Sequence, residues 1–143
     1  MQSVERSALV RYTAEQMFAL VNDVASYPQF LPWCTAASVQ VVSPEEVVAT
    51  VKVERSVLRT HFTTRNTLNV GRVIVMQLVE GPFSRLSGEW RFDPIGAEGS
   101  KVRFKVDFEF SNRLLAAGLN PVFESVCATM VGAFVERAKS VYG

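Results

Sequence analysis

From Lys101 to Phe110 the chain reads Lys-Val-Arg-Phe-Lys-Val-Asp-Phe-Glu-Phe, and every second residue is apolar. Successive side chains of a strand point to opposite faces, so Val102, Phe104, Val106, Phe108 and Phe110 share one side and all the charges take the other. A strand divided in this way belongs to an antiparallel sheet with one face buried and one face wet. The buried face needs a cover, and the next segment supplies it. Beyond Phe110 the apolar period lengthens to that of a helix, with Leu119, Val122, Phe123, Val126, Met130, Phe134, Ala138 and Val141 on one stripe and Glu124, Glu136, Arg137 and Lys139 elsewhere on the circumference. Asn120-Pro121 either opens this helix, as cap and first helical residue, or kinks one begun near Asn112.

The rest of the chain repeats the alternation. Val47, Ala49, Val51 and Val53 alternate with Val48, Thr50 and Lys52, and Phe62, Thr64, Asn66 and Leu68 alternate with His61, Thr63, Arg65 and Thr67. Turn signals at Ser43-Pro44-Glu45, Asn69-Val70-Gly71, Gly81-Pro82 and Asp93 to Gly99 separate the strands. A last hairpin centred on Gly96 would pair Glu89 with Arg103 and Arg85 with Asp107 on the wet side. Near the start, Val4 to Val10 reads as a strand. Thr13-Ala-Glu-Gln16 follows with the pattern of a capping box, and Met17, Leu20, Val21 and Val24 mark one face of a helix. The aromatic connector Tyr27-Pro-Gln-Phe-Leu-Pro-Trp-Cys34 cannot continue that helix, because each proline restrains the residue before it.

These elements predict an α+β fold over residues 1–143 as a single domain: a curved antiparallel sheet of six to seven strands around a long C-terminal helix. A curved sheet and a helix touch well at their ends and less well in the middle, so an apolar cavity is expected between them. Its expected lining is Phe30, Leu31, Trp33, Phe62, Thr64, Asn66, Met76, Leu78, Trp90, Phe104, Phe108, Phe123, Met130 and Phe134, with Thr64, Asn66 and Gln77 as polar markers. A mostly apolar pocket with few polar groups is the form of a small-molecule site.

Catalytic and metal chemistry find little support. His61 is the single histidine, on the polar side of its strand among Thr63, Arg65 and Thr67, with no Asp or Glu in the stretch except Glu54 before the turn. Asp107 and Glu109 lie opposite the phenylalanines, on the solvated face. Cys34 and Cys127 lack zinc or redox spacing and read as buried reduced thiols. No glycine-rich phosphate loop occurs. We therefore expect a binding protein with no catalytic residues, no metal and no required cofactor. The formal charge of +1 gives no global attraction to nucleic acid; a local patch of Arg91, Lys101, Arg103 and Lys105 on the last hairpin is the candidate for phosphate contact. No run of eighteen or more apolar residues and no leader pattern is visible, so a cytoplasmic location is expected.

The segments Val21-Asn-Asp-Val24, Tyr27-Pro-Gln-Phe-Leu-Pro32, Phe62-Thr-Thr-Arg65, Gly81-Pro-Phe83, Leu86-Ser-Gly-Glu-Trp-Arg-Phe92 and Asp107-Phe-Glu-Phe110 together resemble the coenzyme-Q-binding branch of the START-like superfamily, most closely its bacterial RatA group. The resemblance covers essentially the whole chain. It implies a helix-grip (START/Bet v-like) fold and a tunnel for ubiquinone or another polyprenyl quinone. It also implies a role supporting respiratory electron transfer, with transient contact to a membrane surface peripheral to the inner membrane. For the RatA group it implies, alternatively, a ribosome-associating toxin that binds the large subunit and hinders subunit joining. Each isoprene unit in a dry tunnel gains about 3–4 kcal/mol over water, at about 0.8 kcal/mol per carbon group. A bilayer offers nearly the same, so exchange with a membrane, with Tyr27 to Trp33 at the mouth, is the expected mode.

Overall fold

The computed structural model describes Met1–Gly143. Strand β1 (Gln2–Val10) is followed by α1 (Ala14–Asn22) and a 3-10 segment (Val24–Gln29). The chain then runs through β2 (Cys34–Ser43), β3 (Glu46–Arg55), β4 (Leu58–Asn69), β5 (Val73–Glu80), β6 (Phe83–Ile95) and β7 (Gly99–Phe110), and ends in α2 (Arg113–Ala128) and α3 (Met130–Tyr142). The seven strands form one antiparallel sheet in the order β1-β7-β6-β5-β4-β3-β2. The first strand thus returns to the last, with Val4 facing Val106 and Ala8 facing Val102. The predicted alternation holds across the meander: Val102, Phe104, Val106, Phe108 and Phe110 are all buried, and so are Val47, Ala49, Val51 and Val53.

Helix α1 starts where the sequence places it. The Thr13 hydroxyl accepts from the Gln16 amide at 3.1 Å, and the Gln16 side chain accepts from the Thr13 amide at 2.8 Å. Two amides that the first helical turn leaves without partners are satisfied in this way. Met17, Phe18 and Val21 are buried, and Phe18 meets Phe92 of β6 edge-on at 5.7 Å. Leu20, expected on the inner face, is only half-buried; Phe18 takes the deeper position.

One local expectation changes, and one left open is decided. The β6–β7 ladder closes at Ile95 opposite Gly99, so Gly96, Ala97 and Glu98 form the turn, and Gly96 sits at a φ of 64° that favours glycine. The hairpin centre moves from Gly96 to Ala97 and the register shifts by two residues. Parity survives, but Glu89 now faces Lys105, Arg85 faces Glu109, and Arg91 faces Arg103. The choice left open at Asn120-Pro121 is decided for the earlier start. Helix α2 begins at Arg113 with Asn112 as its cap, and Asn112 Oδ1 accepts from the amides of Leu114 and Leu115 at 3.0 and 3.3 Å. Pro121 lies inside α2, and the helix is interrupted instead at Thr129, whose hydroxyl donates back to the Val126 carbonyl at 3.0 Å.

By length and composition alone the helical stretch Arg113–Tyr142 could cross a bilayer. Its inner face is instead committed to the sheet: Phe123, Val126, Cys127, Met130, Val131, Phe134 and Ala138 are buried. The cover is incomplete at two places. Val39 and Val41 of edge strand β2 face the same side as their partners Ala49 and Val47 yet stay exposed. Leu114 and Leu115, in the first turn of α2, project into solvent, Leu114 with 93% of its surface.

Candidate ligand cavity

The concave face of the sheet carries small residues where a filled core would carry large ones. Ala49, Val51 and Val53 on β3, Gly88 on β6 and Val106 on β7 leave room beneath α2, and the result is a cavity of about 730 Å³, counting the part open to solvent. Phe62, Thr64 and Asn66 of β4, Met76 of β5, Leu86 and Trp90 of β6 and Phe104 of β7 complete the floor. Phe123, Val126 and Cys127 of α2 and Met130 of α3 form the roof, and Val24, Tyr27 and Trp33 close one side. Gly88 is needed for this shape: a Cβ there would stand 2.6 Å from Met76 Cε.

Aromatic clusters bound the space on two sides. In one, Phe83 stacks on Phe110 at 4.7 Å, while Phe108 and Phe62 meet Phe123 edge-on at 4.7 and 6.0 Å. In the other, Trp90 stacks on Phe104 at 4.3 Å, and Phe134 receives Trp90, Tyr27 and Phe30 edge-on at 5.3–5.4 Å. Edge-to-face and offset contacts of this kind add to simple burial and stiffen the walls.

Of the expected lining, Trp33, Phe62, Thr64, Asn66, Met76, Trp90, Phe104, Phe123 and Met130 reach the cavity. Phe108 and Phe134 do not, because each is the centre of an aromatic cluster and is fully buried there. Leu31 is buried in the packed core, and Leu78 lies half-buried near Phe62 and Gly81. Phe30 packs on Phe134 beneath the Arg137 guanidinium, 4.8 Å from its ring centre. The expected mouth segment therefore contributes Tyr27 and Trp33 to the lining but neither Phe30 nor Leu31. Gln77 is exposed on the convex face, as the period of its strand requires. Beyond Tyr27, expected only as part of the mouth, sequence reasoning missed Val24, Ala49, Val51, Val53, Leu86, Gly88, Val106, Val126 and Cys127. Strand parity already pointed most of the strand residues inward, but the choice of large side chains passed over the small ones that make the gap.

Polar groups in the cavity are few. Thr64 Oγ1 donates to Asn66 Oδ1 at 2.7 Å, and both residues are buried. The Tyr27 phenol donates to the Val21 carbonyl at 2.5 Å, and burial pushes its pKa well above the ordinary tyrosine value. Burial also pushes the Cys127 thiol up, with a smaller contribution from Glu124. A thiol held neutral is a weak nucleophile, so this wall is chemically quiet toward an electrophilic guest.

On the convex face Arg91, Arg103 and Lys105 border a shallow depression together with Glu5 and Glu89. Three cations meet two carboxylates there, and Glu89 is engaged by Arg91 at 2.8 Å. Lys101 stands one step along β7 opposite Asp93. His61 is exposed, and Asp107 accepts from the Ser3 hydroxyl at the edge of the same face.

The family described as polyketide cyclase / dehydrase and lipid transport matches residues 10–135. The chain belongs to this family. Within it, the chain is 46% identical over 142 residues to the ribosome association toxin RatA of Escherichia coli K12, covering 99% of this chain and 90% of that protein. It is 28% identical to the mitochondrial coenzyme Q-binding protein COQ10 of Drosophila melanogaster, over 94% of this chain but 57% of that protein. Among solved structures, the Zhui aromatase/cyclase from Streptomyces sp. R1128 superposes with a TM-score of 0.85 at 21% identity, over 96% of this chain and 93% of that one. That likeness establishes the shared fold: a seven-stranded curved sheet gripping a C-terminal helix, the helix-grip arrangement expected from the sequence.

Proposed function

We propose that this protein associates with the ribosome as a regulator of translation, binding the large subunit and hindering subunit joining. The observation that carries this reading is the near-full-length similarity, at 46% identity, to proteins named for ribosome association. The convex face offers a contact of suitable chemistry. Arg91, Arg103 and Lys105 lie together on adjacent strands with Lys101 beside them, and phosphate contacts from such residues supply sequence-independent affinity for RNA. Location in the cytoplasm, where ribosomes are, belongs to the same reading. The test is sedimentation of the purified protein with large subunits across a salt series. Binding that weakens steeply with salt, and weakens further in an Arg103→Glu, Lys105→Glu chain, is the expected result. Sedimentation insensitive to both would remove the basic face from the proposal.

A second reading rests on the cavity. A cavity walled almost wholly by apolar side chains, with Thr64 and Asn66 as its few polar groups, has the lining character of a small-molecule site. The quinone named for the more distant relative is a guest of matching character. We propose that the cavity holds a lipophilic molecule, a polyprenyl quinone in the first instance, taken from and returned to a membrane surface without chemical change. The site offers no paired acid and base to act on a guest. Native mass spectrometry after exposure to quinone-loaded vesicles should show a one-to-one complex; a cavity that stays empty under these conditions would count against this reading.

A further inference from the structure

The cavity has one polar feature that packing does not explain. Asn66 is 4% exposed, and its neighbours across the ladders are Val47 and Met76. Its amide makes a single side-chain hydrogen bond, accepting at Oδ1 from Thr64 Oγ1 at 2.7 Å. The amide nitrogen, with two N–H donors, finds no acceptor in the protein, and Asn66 lines the cavity. The nitrogen opens onto the cavity and is not sealed in packed protein, so its donors are free to meet whatever occupies that space. An apolar side chain at this strand position would fill the wall without a polar group that the fold itself leaves unused. The orientation of the amide follows from Thr64. Turning it over would strand the Thr64 hydroxyl hydrogen as well as the amide oxygen, because Ala49 and Leu78, the partners of Thr64 across the ladders, offer no side-chain acceptor.

From this geometry we infer that the cavity selects a guest bearing a carbonyl oxygen on an otherwise apolar skeleton, with Asn66 Nδ2 donating to that oxygen and Thr64 holding the amide in the donating orientation. The inference rests on the lipophilic-ligand reading and specifies the headgroup chemistry within it. A quinone carries such an oxygen. So does an aryl or alkyl ketone, and a plain hydrocarbon or a fully etherified ring does not.

Both tryptophans of the chain, Trp33 and Trp90, line the cavity, so quenching of their fluorescence reports entry of a guest. The probes are a short-chain ubiquinone, a long-chain aryl ketone, and an alkylbenzene of matched chain length. The wild-type chain should bind the two carbonyl compounds more tightly than the alkylbenzene. Asn66→Leu should weaken the carbonyl compounds by about tenfold, the scale expected when a buried polar partner is removed, and leave the alkylbenzene unchanged or tighter. Thr64→Val, which releases the amide without adding bulk, should lower the carbonyl preference several-fold. Infrared spectra of carbon-13-labelled quinone in the wild-type protein provide a reading independent of any variant: one carbonyl stretch should shift down from its position in alkane solvent. If all three probes bind and neither variant changes their ranking, or both carbonyls absorb as in alkane, the headgroup inference is overturned while the cavity reading stands. If no probe enters the wild-type protein, the lipophilic-ligand reading itself fails. Loss restricted to the ketone or to the quinone would identify which source of the carbonyl the site fits.

Discussion

Arg91 on β6 and Arg103 on β7 stand directly opposite one another on the convex face. Like charges in facing positions of an antiparallel pair destabilise it, whereas opposite charges contribute about 0.2–1 kcal/mol. Glu89 takes Arg91 at 2.8 Å, and Arg103 has no ion-pair partner of its own. A repulsion left in place on an exposed strand fits a surface that meets an anion. Arg103→Glu should therefore move two measurements in opposite directions. The midpoint of urea unfolding should rise slightly, by up to about 1 kcal/mol of stability. Affinity for large ribosomal subunits should fall, and the slope of log affinity against log salt should become shallower by about one for each phosphate that the variant no longer neutralises. Stability and ribosome binding that both stay at the wild-type level would show that neither effect operates at this pair.

Phe134 provides a test of the packing that frames the cavity. It is fully buried and takes the rings of Tyr27, Phe30 and Trp90 edge-on, joining α3, the 3-10 segment and β6 at one point. Phe134→Ala should cost about 3–5 kcal/mol, the range for removing a large aromatic from a core that relaxes only in part. Phe30 is half-buried and lies at the edge of the same cluster, so Phe30→Ala should cost clearly less. Chemical denaturation of the two variants side by side checks the ranking; equal losses would mean that the cluster is not organised around Phe134.

The fold is legible in the sequence because two periods divide the chain so cleanly. Val102 to Phe110 declares a one-faced strand and Phe123 to Ala138 a one-faced helix, and neither face can be left to water. Thr13 and Gln16 mark the start of α1 through a local pattern that needs no tertiary information. The hairpin register is not legible in the same way. Parity is fixed by burial, but a slip of two residues preserves parity, and the choice depends on Gly96 taking a left-handed conformation at the first position of a three-residue turn. The cavity is half legible. Parity finds the residues that face inward, Trp90, Phe62 and Asn66 among them. Which inward residues pack and which line a void depends on how closely α2 approaches each strand. Nothing in the sequence distinguishes Phe108 and Phe134 from Phe104 and Phe123 in this respect, yet only the second pair borders the space.

Gly88 offers a way to change the cavity without touching its walls' chemistry. A methyl group added there points at the terminal methyl of Met76, 2.6 Å away, while the nearest backbone atom, the Lys105 carbonyl oxygen, is at an ordinary 3.4 Å. The Met76 side chain is flexible and can turn aside. Gly88→Ala should consequently fold, with near wild-type stability, but with Met76 displaced into the cavity. Binding of a long-chain quinone should weaken several-fold, and Gly88→Ala combined with Met76→Ala should recover it. Fluorescence titration of the two variants decides the matter: recovery in the double variant assigns the loss to volume, and no recovery would assign it to the sheet.

The buried acids of the cavity wall predict how the protein responds to alkali. Burial raises the folded-state pKa of Cys127 above its ordinary 9.0 and that of Tyr27 above its ordinary 10.0. Both groups are neutral when protonated, so the folded chain holds protons that the unfolded chain releases. Below the ordinary values the two states bind the same number of protons and stability is independent of these groups. As pH rises through 9.0 and then 10.0, the unfolded state loses protons first, and the free energy of unfolding should fall by up to about 1.4 kcal/mol per pH unit for each group. Thermal midpoints measured from neutral to strongly alkaline pH should thus decline in two stages. Cys127→Ala should reduce the first stage, to which Cys34 also contributes, and Tyr27→Phe the second, to which Tyr142 also contributes. Because each variant is compared with itself across pH, the packing removed with the side chain drops out of the comparison. A Cys127→Ala chain with the wild-type slope just above pH 9.0 would transfer that first stage to Cys34, whose thiol burial also raises.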